Sequence, residues 1–327
     1  MIRRHALALF AVSAATAAAW TPSARAADAR EINFGFISTE ASNNLKTAWQ
    51  PLLDDLQKKT GLTVHAFFAS DYAGIIEAMR FNKVQVAWMG NKSAMEAVDR
   101  SNGEIFAKCV GKDGSEGYYS LLVVPKDSPL KSLDDVVREH ASLNLGFGDP
   151  NSTSGTAIPG YYAFAKNHID PTKDFKRTVR ASHETNLLAI VNKQVDVATN
   201  NTEDLFRFGK THPAEAAQVR EIWRSPVIPS DPLVWRKDLD DATKKAIKDF
   251  VLAYGKPPAE QAIMQNLGYS AFRVSSNQQL VTIRQIELVR ERGRVEGDTT
   301  ISAEDKSKKL KDIDDKLAEL GRQVASN

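Results

Sequence analysis

Ala69-Ser70-Asp71-Tyr72 opens and Asn82-Lys83-Val84-Gln85-Val86-Ala87 closes a stretch that reads as turn, helix, turn and strand. About 110 residues later, Ala181-Ser182-His183-Glu184 and Asn192-Lys193-Gln194-Val195-Asp196-Val197-Ala198 repeat that grammar. So short a likeness can arise by chance. The competing reading is two lobes of similar topology, each aiming a helix N-terminus and its preceding loop at a shared cleft, because ligands of open α/β sheets bind at the carboxyl ends of the strands. The flanking sequence agrees. β-like runs at 31–37, 63–68, 84–89, 120–124, 143–147, 178–180 and 195–199 alternate with helical runs at 45–60, 72–81, 133–139, 156–167 and 184–192. Such alternation predicts an α/β fold with mixed, mostly parallel sheets flanked by helices. Gly117-Tyr118-Tyr119-Ser120 and Ser225-Pro226-Val227-Ile228-Pro229-Ser230-Asp231-Pro232 flank the second lobe and are expected to be two hinge crossings.

Residues 149–160, Asp-Pro-Asn-Ser-Thr-Ser-Gly-Thr-Ala-Ile-Pro-Gly, place Ser152, Thr153 and Ser154 where a loop becomes a helix. The first-turn N–H groups of a helix have no partners within it and, with the helix dipole, favour an anion. Hydroxyls beside them add donors suited to a tetrahedral oxyanion. Simple capping of the helix by Asn151 or Ser152 is the plainer alternative.

Arg3, Arg4 and His5, the uncharged Ala- and Leu-rich run 6–19, and Ala24-Arg25-Ala26 read as a cleavable export signal over residues 1–26. The apolar run is shorter than the ~20 residues a membrane span needs. Arg3-Arg4 leaves the twin-arginine route open beside the general one. Cys109, the single cysteine, permits no internal disulfide and lies far from any lipid-attachment position. A soluble protein outside the cytoplasm, most simply in a periplasm, is expected. Loss of Arg3, Arg4 and Arg25 leaves 40 basic against 41 acidic residues, a net charge of −1 instead of +2. That balance argues against nucleic acid as a partner, so any anion selectivity must be local. About 300 mature residues suit two domains.

Several blocks in order carry a closer likeness: 33–40, 71–76, 79–84, 93–100, 149–155, His183-Glu184-Thr185-Asn186, 196–203 and Ile228-Pro229-Ser230-Asp231-Pro232. From about Ile32 to Glu287 the chain resembles the phosphonate-binding proteins of bacterial ABC transporters. The resemblance implies a two-lobed periplasmic binding fold of type II that delivers organophosphonates such as 2-aminoethylphosphonate to a membrane permease, without cofactor or metal. It implies lobe 1 at 27–118 and 225–283, lobe 2 at 119–224 and a helical extension at 284–327. By the same resemblance, Ser152, Thr153, Ser154, Tyr72 and His183 hold the phosphonate group. Tyr118 lines the pocket, and Glu203 and Asp231 meet the ligand ammonium.

The residue types suit those roles: phenols and an imidazole can donate to an anion, and two carboxylates offer acceptors to an ammonium. A binding protein for phosphite, phosphate or a phosphate ester is the near alternative, although the two carboxylates would repel a small all-anionic ligand. An extracytoplasmic phosphatase or esterase using Ser152, His183 and Glu203 is the distant one. No Gly-x-Ser-x-Gly elbow, His-Glu-x-x-His or clustered Asp/His set supports it. His65 and His212 read as surface or satisfied residues, Cys109 as a small buried hydrophobe, and Trp49 and Trp88 as packing residues. Met89 stands where relatives of the resembled family tend to carry tyrosine, which would replace a phenol by a thioether if the position touches ligand. In the tail, Ser302-Ala303-Glu304-Asp305 reads as a helix start, and Leu310, Ile313, Leu317, Leu320 and Val324 form a narrow apolar seam. The seam should dock on the chain's own first lobe or pair with a second copy, making a homodimer through the C-terminal helices.

Overall fold

The computed structural model describes residues 30–325; the expected export signal at 1–26 lies outside them. Elements follow in chain order as β1 (Glu31–Phe36), α1 (Ser42–Thr60), β2 (Thr63–Phe68), α2 (Tyr72–Arg80), β3 (Val86–Trp88), α3 (Asn91–Arg100) and β4 (Gly103–Gly111). The chain then crosses at β5 (Gly117–Tyr118) into β6 (Ser120–Pro125), α4 (Leu133–Glu139), β7 (Asn144–Phe147), an irregular helix from Thr153, β8 (Arg177–Arg180), α5 (His183–Val191), β9 (Val197–Asn201), α6 (Thr202–Thr211), α7 (Pro213–Ala216) and β10 (Val219–Arg224). It returns through β11 (Ile228–Pro229) to β12 (Pro232–Arg236), α8 (Asp241–Ala253), α9 (Pro258–Leu267) and β13 (Tyr269–Val274), and ends in α10 (Val281–Gly297) and α11 (Ala303–Ala325).

Two sheets result, in strand orders β13-β4-β12-β3-β1-β2 and β10-β6-β9-β7-β8. Central β1 pairs parallel with β2 and β3, and central β7 pairs parallel with β8 and β9. An antiparallel strand then flanks each trio, β12 beside β3 and β6 beside β9. The repeated grammar is therefore a repeated topology. Both crossings pair with each other, since β5 and β11 run antiparallel with Tyr118 opposite Ile228. Further bonds join them, from Ser120 N–H to Ser225 Oγ (3.0 Å) and from Ser225 N–H to the Ser120 carbonyl (2.9 Å).

The first sheet packs around Phe34, Phe36, Trp49 and Trp88, with Trp49 and Trp88 ring centroids 5.4 Å apart. Leu45, Trp49, Leu52, Leu53 and Leu56 bring the buried face of α1 onto it. Gly61, at φ +72, ends α1 in the left-handed conformation and donates its N–H to the Gln57 carbonyl. Cys109 is fully buried, as its apolar neighbours in sequence predict. Met89 is fully buried in the same core.

Local chemistry shifts the repeat by one residue. Asp71 caps α2 by accepting from Gly74 N–H (2.8 Å), whereas Ser182 caps α5 by accepting from Thr185 N–H (3.2 Å). Tyr72 and His183 consequently become the first residues of their helices, although they are one position out of step in the repeat. The helix expected at 156–167 begins instead at Thr153 and is wound as wide turns over Thr153–Ala157 and Gly160–Phe164. Its carbonyls are engaged elsewhere: Ser120 Oγ donates to the Ser154 carbonyl (2.6 Å), and Thr199 Oγ1 and Gly148 N–H donate to that of Gly155. Pro159 supplies no N–H, so a regular α ladder cannot form. Gly148 must be glycine here, because a Cβ would sit 2.6 Å from the Gly155 Cα.

The tail folds as a helical hairpin. Ser302 caps α11, and Arg292 of α10 donates to Asp314 of α11 (2.8 Å). Ile313 is buried and Leu310, Leu317 and Leu320 are partly buried, so the seam lies against α10 rather than directly on the first sheet's lobe. The 283/284 boundary falls within α10.

Candidate functional site

The helix start after β7 is built so that each of its hydroxyl oxygens accepts from an N–H of the protein. Ser152 Oγ accepts from Gly155 N–H (2.9 Å), Thr153 Oγ1 from Lys92 N–H (2.8 Å) and Ser154 Oγ from Asn201 Nδ2–H (3.0 Å). Each oxygen has an N–H donor, which leaves its O–H free to donate to an anion. Of the two alternatives for this stretch, the capping one is observed, since Ser152 caps the turn.

The other expected residues converge on the same place. His183 Nε2 lies 3.3 Å from Ser152 Oγ, and its Nδ1 is buried without a hydrogen-bond partner. Burial pushes the His183 pKa down against the opposing pull of Asp204, so the ring is neutral near pH 7. Tyr72 lies beside Ser152, and Tyr118 beside both Ser154 and Asp231. Burial raises both phenols well above their ordinary range, keeping them as donors.

Glu203 and Asp231 form the other end. Tyr269 donates its O–H to Glu203 Oε2 (3.3 Å), and Asp231, only 6% exposed, has one carboxylate oxygen, Oδ1, without a partner. Burial pushes Glu203 up to about 7. Asp231 rises well above the usual carboxylate range, through burial first and the neighbouring Glu203 charge second. A buried carboxylate beside a partly buried one that repels it is what a cation would relieve.

Contacts across the cleft are the part sequence reasoning missed. Glu184 of α5 accepts from Ala41 N–H (2.6 Å) and Asn44 Nδ2–H (2.7 Å), and its own N–H donates to the Thr39 carbonyl (3.2 Å). Ala41 cannot cap α1 with its own side chain, so a carboxylate from the opposite lobe does so, and α1 starts at Ser42 rather than at 45. Arg207 of α6 pairs with Glu40 (2.6 Å) and with Asp204, and its guanidinium lies 5.7 Å from the centroid of Trp88. Tyr72 N–H donates to Asp149 Oδ2 (3.3 Å). Glu40 and Glu184 stand inside the blocks that carry the family resemblance, but nothing in their local pattern marks them as partners across a cleft. Of the residues set apart earlier, His65 pairs with Glu31 (2.8 Å), while His212 stacks on Phe208 and lies 3.9 Å from the Glu184 carboxylate.

These bonds join the two lobes across the cleft, so opening the cleft would break them. Replacing Glu184 by Ala leaves its backbone N–H on Thr39 and removes the two bonds made by its carboxylate, at roughly 0.5–1.5 kcal/mol each and more for the charged acceptor. The expected result is an affinity loss of about tenfold to a hundredfold for every phosphonate alike, mainly in the dissociation rate. Stopped-flow or surface-plasmon kinetics with an amino- and an alkylphosphonate would show it; a change in the ratio between the two ligands would contradict a general closure role.

Two α/β lobes joined by two crossings and closed on a polar cleft define a solute-binding protein of the periplasmic kind, and no described helix is long and apolar enough to cross a membrane. The family described as ABC transporter, phosphonate, periplasmic substrate-binding protein matches residues 34–280, and the chain belongs to it. It is 54% identical over 293 residues to the phosphonates-binding periplasmic protein of Escherichia coli, covering 90% of this chain and 86% of that one. The crystal structure of a binding protein component of an ABC phosphonate transporter from Pseudomonas aeruginosa superposes with a TM-score of 0.88 at 52% identity, over 91% of this chain and 99% of that one. PhnD1 of Prochlorococcus marinus, solved in complex with methylphosphonate, shares the fold at a TM-score of 0.72 and 18% identity, over 81% of this chain and 99% of that one. The chain is therefore a phosphonate-binding component of an ABC transporter and not an enzyme.

Proposed function

We propose that the protein captures 2-aminoethylphosphonate between its lobes and hands it to the transporter's permease. In this reading Ser152, Thr153, Ser154, Tyr72 and His183 bind the phosphonate, Glu203 and Asp231 bind the ammonium, and Tyr118 spans the two ends. The observation that carries it is the buried Asp231 oxygen without a partner beside a second carboxylate, opposite a set of donors. An inorganic phosphite or phosphate would leave those carboxylates unsatisfied. Calorimetric titration with 2-aminoethylphosphonate, methylphosphonate, phosphate and phosphite tests it, the aminophosphonate being expected to bind tightest. A preference for phosphate or phosphite would overturn the reading.

The same carboxylates make closure depend on ligand. A solvated Glu near 4.5 that rises to about 7 on burial takes up a proton as the cleft shuts. Closure is then favoured below the lower value, and the advantage is lost as pH rises through 7. Above that, Glu203 alone opposes empty closure by on the order of 3 kcal/mol. An ammonium removes the penalty, which is the differential affinity a population shift requires. Small-angle scattering at pH 8 should show a smaller radius of gyration with ligand than without. Ligand-free Glu203→Gln should also be smaller than the ligand-free wild type. An unchanged radius at saturating ligand would sink the closure argument.

The tail reading is kept as a homodimer through α10 and α11. The hairpin leaves Met95, Leu288 and Leu320 along a groove of about 420 Å³ between α3, α10 and α11, rimmed by Arg284, Glu287 and Lys316. Sedimentation of the mature protein should give a dimer and of a version ending at Gly297 a monomer; the same state for both would remove the tail as the dimer element.

A further inference from the structure

With the lobes shut, a cavity of about 530 Å³ still leads outward from the amine end of the site, between the hinge strands and α6. Buried Tyr118 and partly buried Glu203 stand at its inner end; Lys112 and Val227, the latter 60% exposed, stand at its mouth. Phe206 forms the wall between them, one helical turn beyond Glu203 on the same face of α6, about 5–6 Å away. The Lys112 ammonium lies 3.8 Å and that of Lys210 4.8 Å from the Phe206 ring centroid. Neither lysine has a carboxylate partner among the described residues. Lys210 instead donates to the Gln265 and Asn266 carbonyls. The nearby acids are already engaged: Glu116 by Lys108 and Arg273, Glu221 by Arg224, and Asp113 by Ser115 N–H.

We propose that this passage admits substituents on the ligand nitrogen, so that the protein also takes N-substituted aminoalkylphosphonates, with a terminal carboxylate on the substituent meeting Lys112. The inference rests on Glu203 facing the ammonium. A secondary ammonium keeps the charge that Glu203 and Asp231 need, while its extra carbons lie along Phe206 instead of against a closed wall. Lys112 stands at the mouth without a carboxylate partner, and an anionic tail in the passage would meet its charge. Substituents on the carbons between phosphorus and nitrogen would meet the enclosed part of the site and gain nothing from the passage.

The test is calorimetric titration of the mature protein at low salt with 2-aminoethylphosphonate and its N-methyl and N-(2-carboxyethyl) derivatives. Both derivatives should bind within about threefold of the parent. Lys112→Met should weaken the carboxyethyl compound at least about fivefold and leave the other two unchanged. If the parent binds but both derivatives lose more than about a hundredfold, the passage is not a ligand path and this inference fails alone. Tight binding of the carboxyethyl compound with no effect of Lys112→Met would overturn the acidic preference. Failure of the parent to bind would remove the ammonium assignment and the inference with it.

Discussion

Replacing Glu203 by Gln and Asp231 by Asn together should weaken 2-aminoethylphosphonate at least a hundredfold while leaving methylphosphonate within about threefold. Each charge-assisted hydrogen bond contributes about 1.5–3 kcal/mol, so two are worth about 3–6 kcal/mol, or roughly two to four decades in affinity. Methylphosphonate has no ammonium and makes none of these bonds. It can even gain, because the variants remove the two raised carboxylates whose burial opposes closure. Isothermal titration at pH 8 measures both ligands in one series. Parallel losses for the two would show that the carboxylates act on the scaffold and not on the amine.

Ser152→Ala combined with Thr153→Val should instead abolish binding of both ligands at micromolar concentration. Two hydroxyl donors to a phosphonate disappear, again about 3–6 kcal/mol, and the valine also leaves Lys92 N–H without its cross-cleft acceptor. Loss of the Ser152 cap costs the fold only about 1 kcal/mol, so a melting temperature close to wild type separates lost recognition from lost folding. Thr153→Ser, which keeps the hydroxyl, should restore most of the binding. Retained binding in the double variant would move the phosphonate away from this helix start.

The order of elements was readable because local patterns encode it. The bounds of β2 and α4 agree with the 63–68 and 133–139 readings, and most other boundaries differ by one or two residues. Where the reading fell short, the missing information was not local. α1 starts at Ser42, three residues before the expected 45, although Ala41 has no capping side chain. Glu184, 143 positions away, supplies the acceptor. The helix after β7 was placed three residues late because its first carbonyls bond to Ser120, Thr199 and Gly148, which no window around Ser152 contains.

The candidate site divides the same way. Its eight residues could be named from chemistry and family likeness, because a phosphonate demands donors and an ammonium demands acceptors whatever the surrounding fold. Their second partners could not be named. Asn201 on Ser154, Lys92 on Thr153, Tyr269 on Glu203 and the Glu40–Arg207–Asp204 chain come from four separate elements and one loop. The residue sequence alone determined the alternation of strands and helices, the doubling of the topology and the kinds of group that could meet a ligand, since these depend on propensity, periodicity and side-chain chemistry. Tertiary structure alone decided which N–H groups Thr153 and Ser154 accept from, how far burial lifts Glu203 and Asp231, and which carboxylate meets the start of α1, because each depends on distances between elements far apart in the chain.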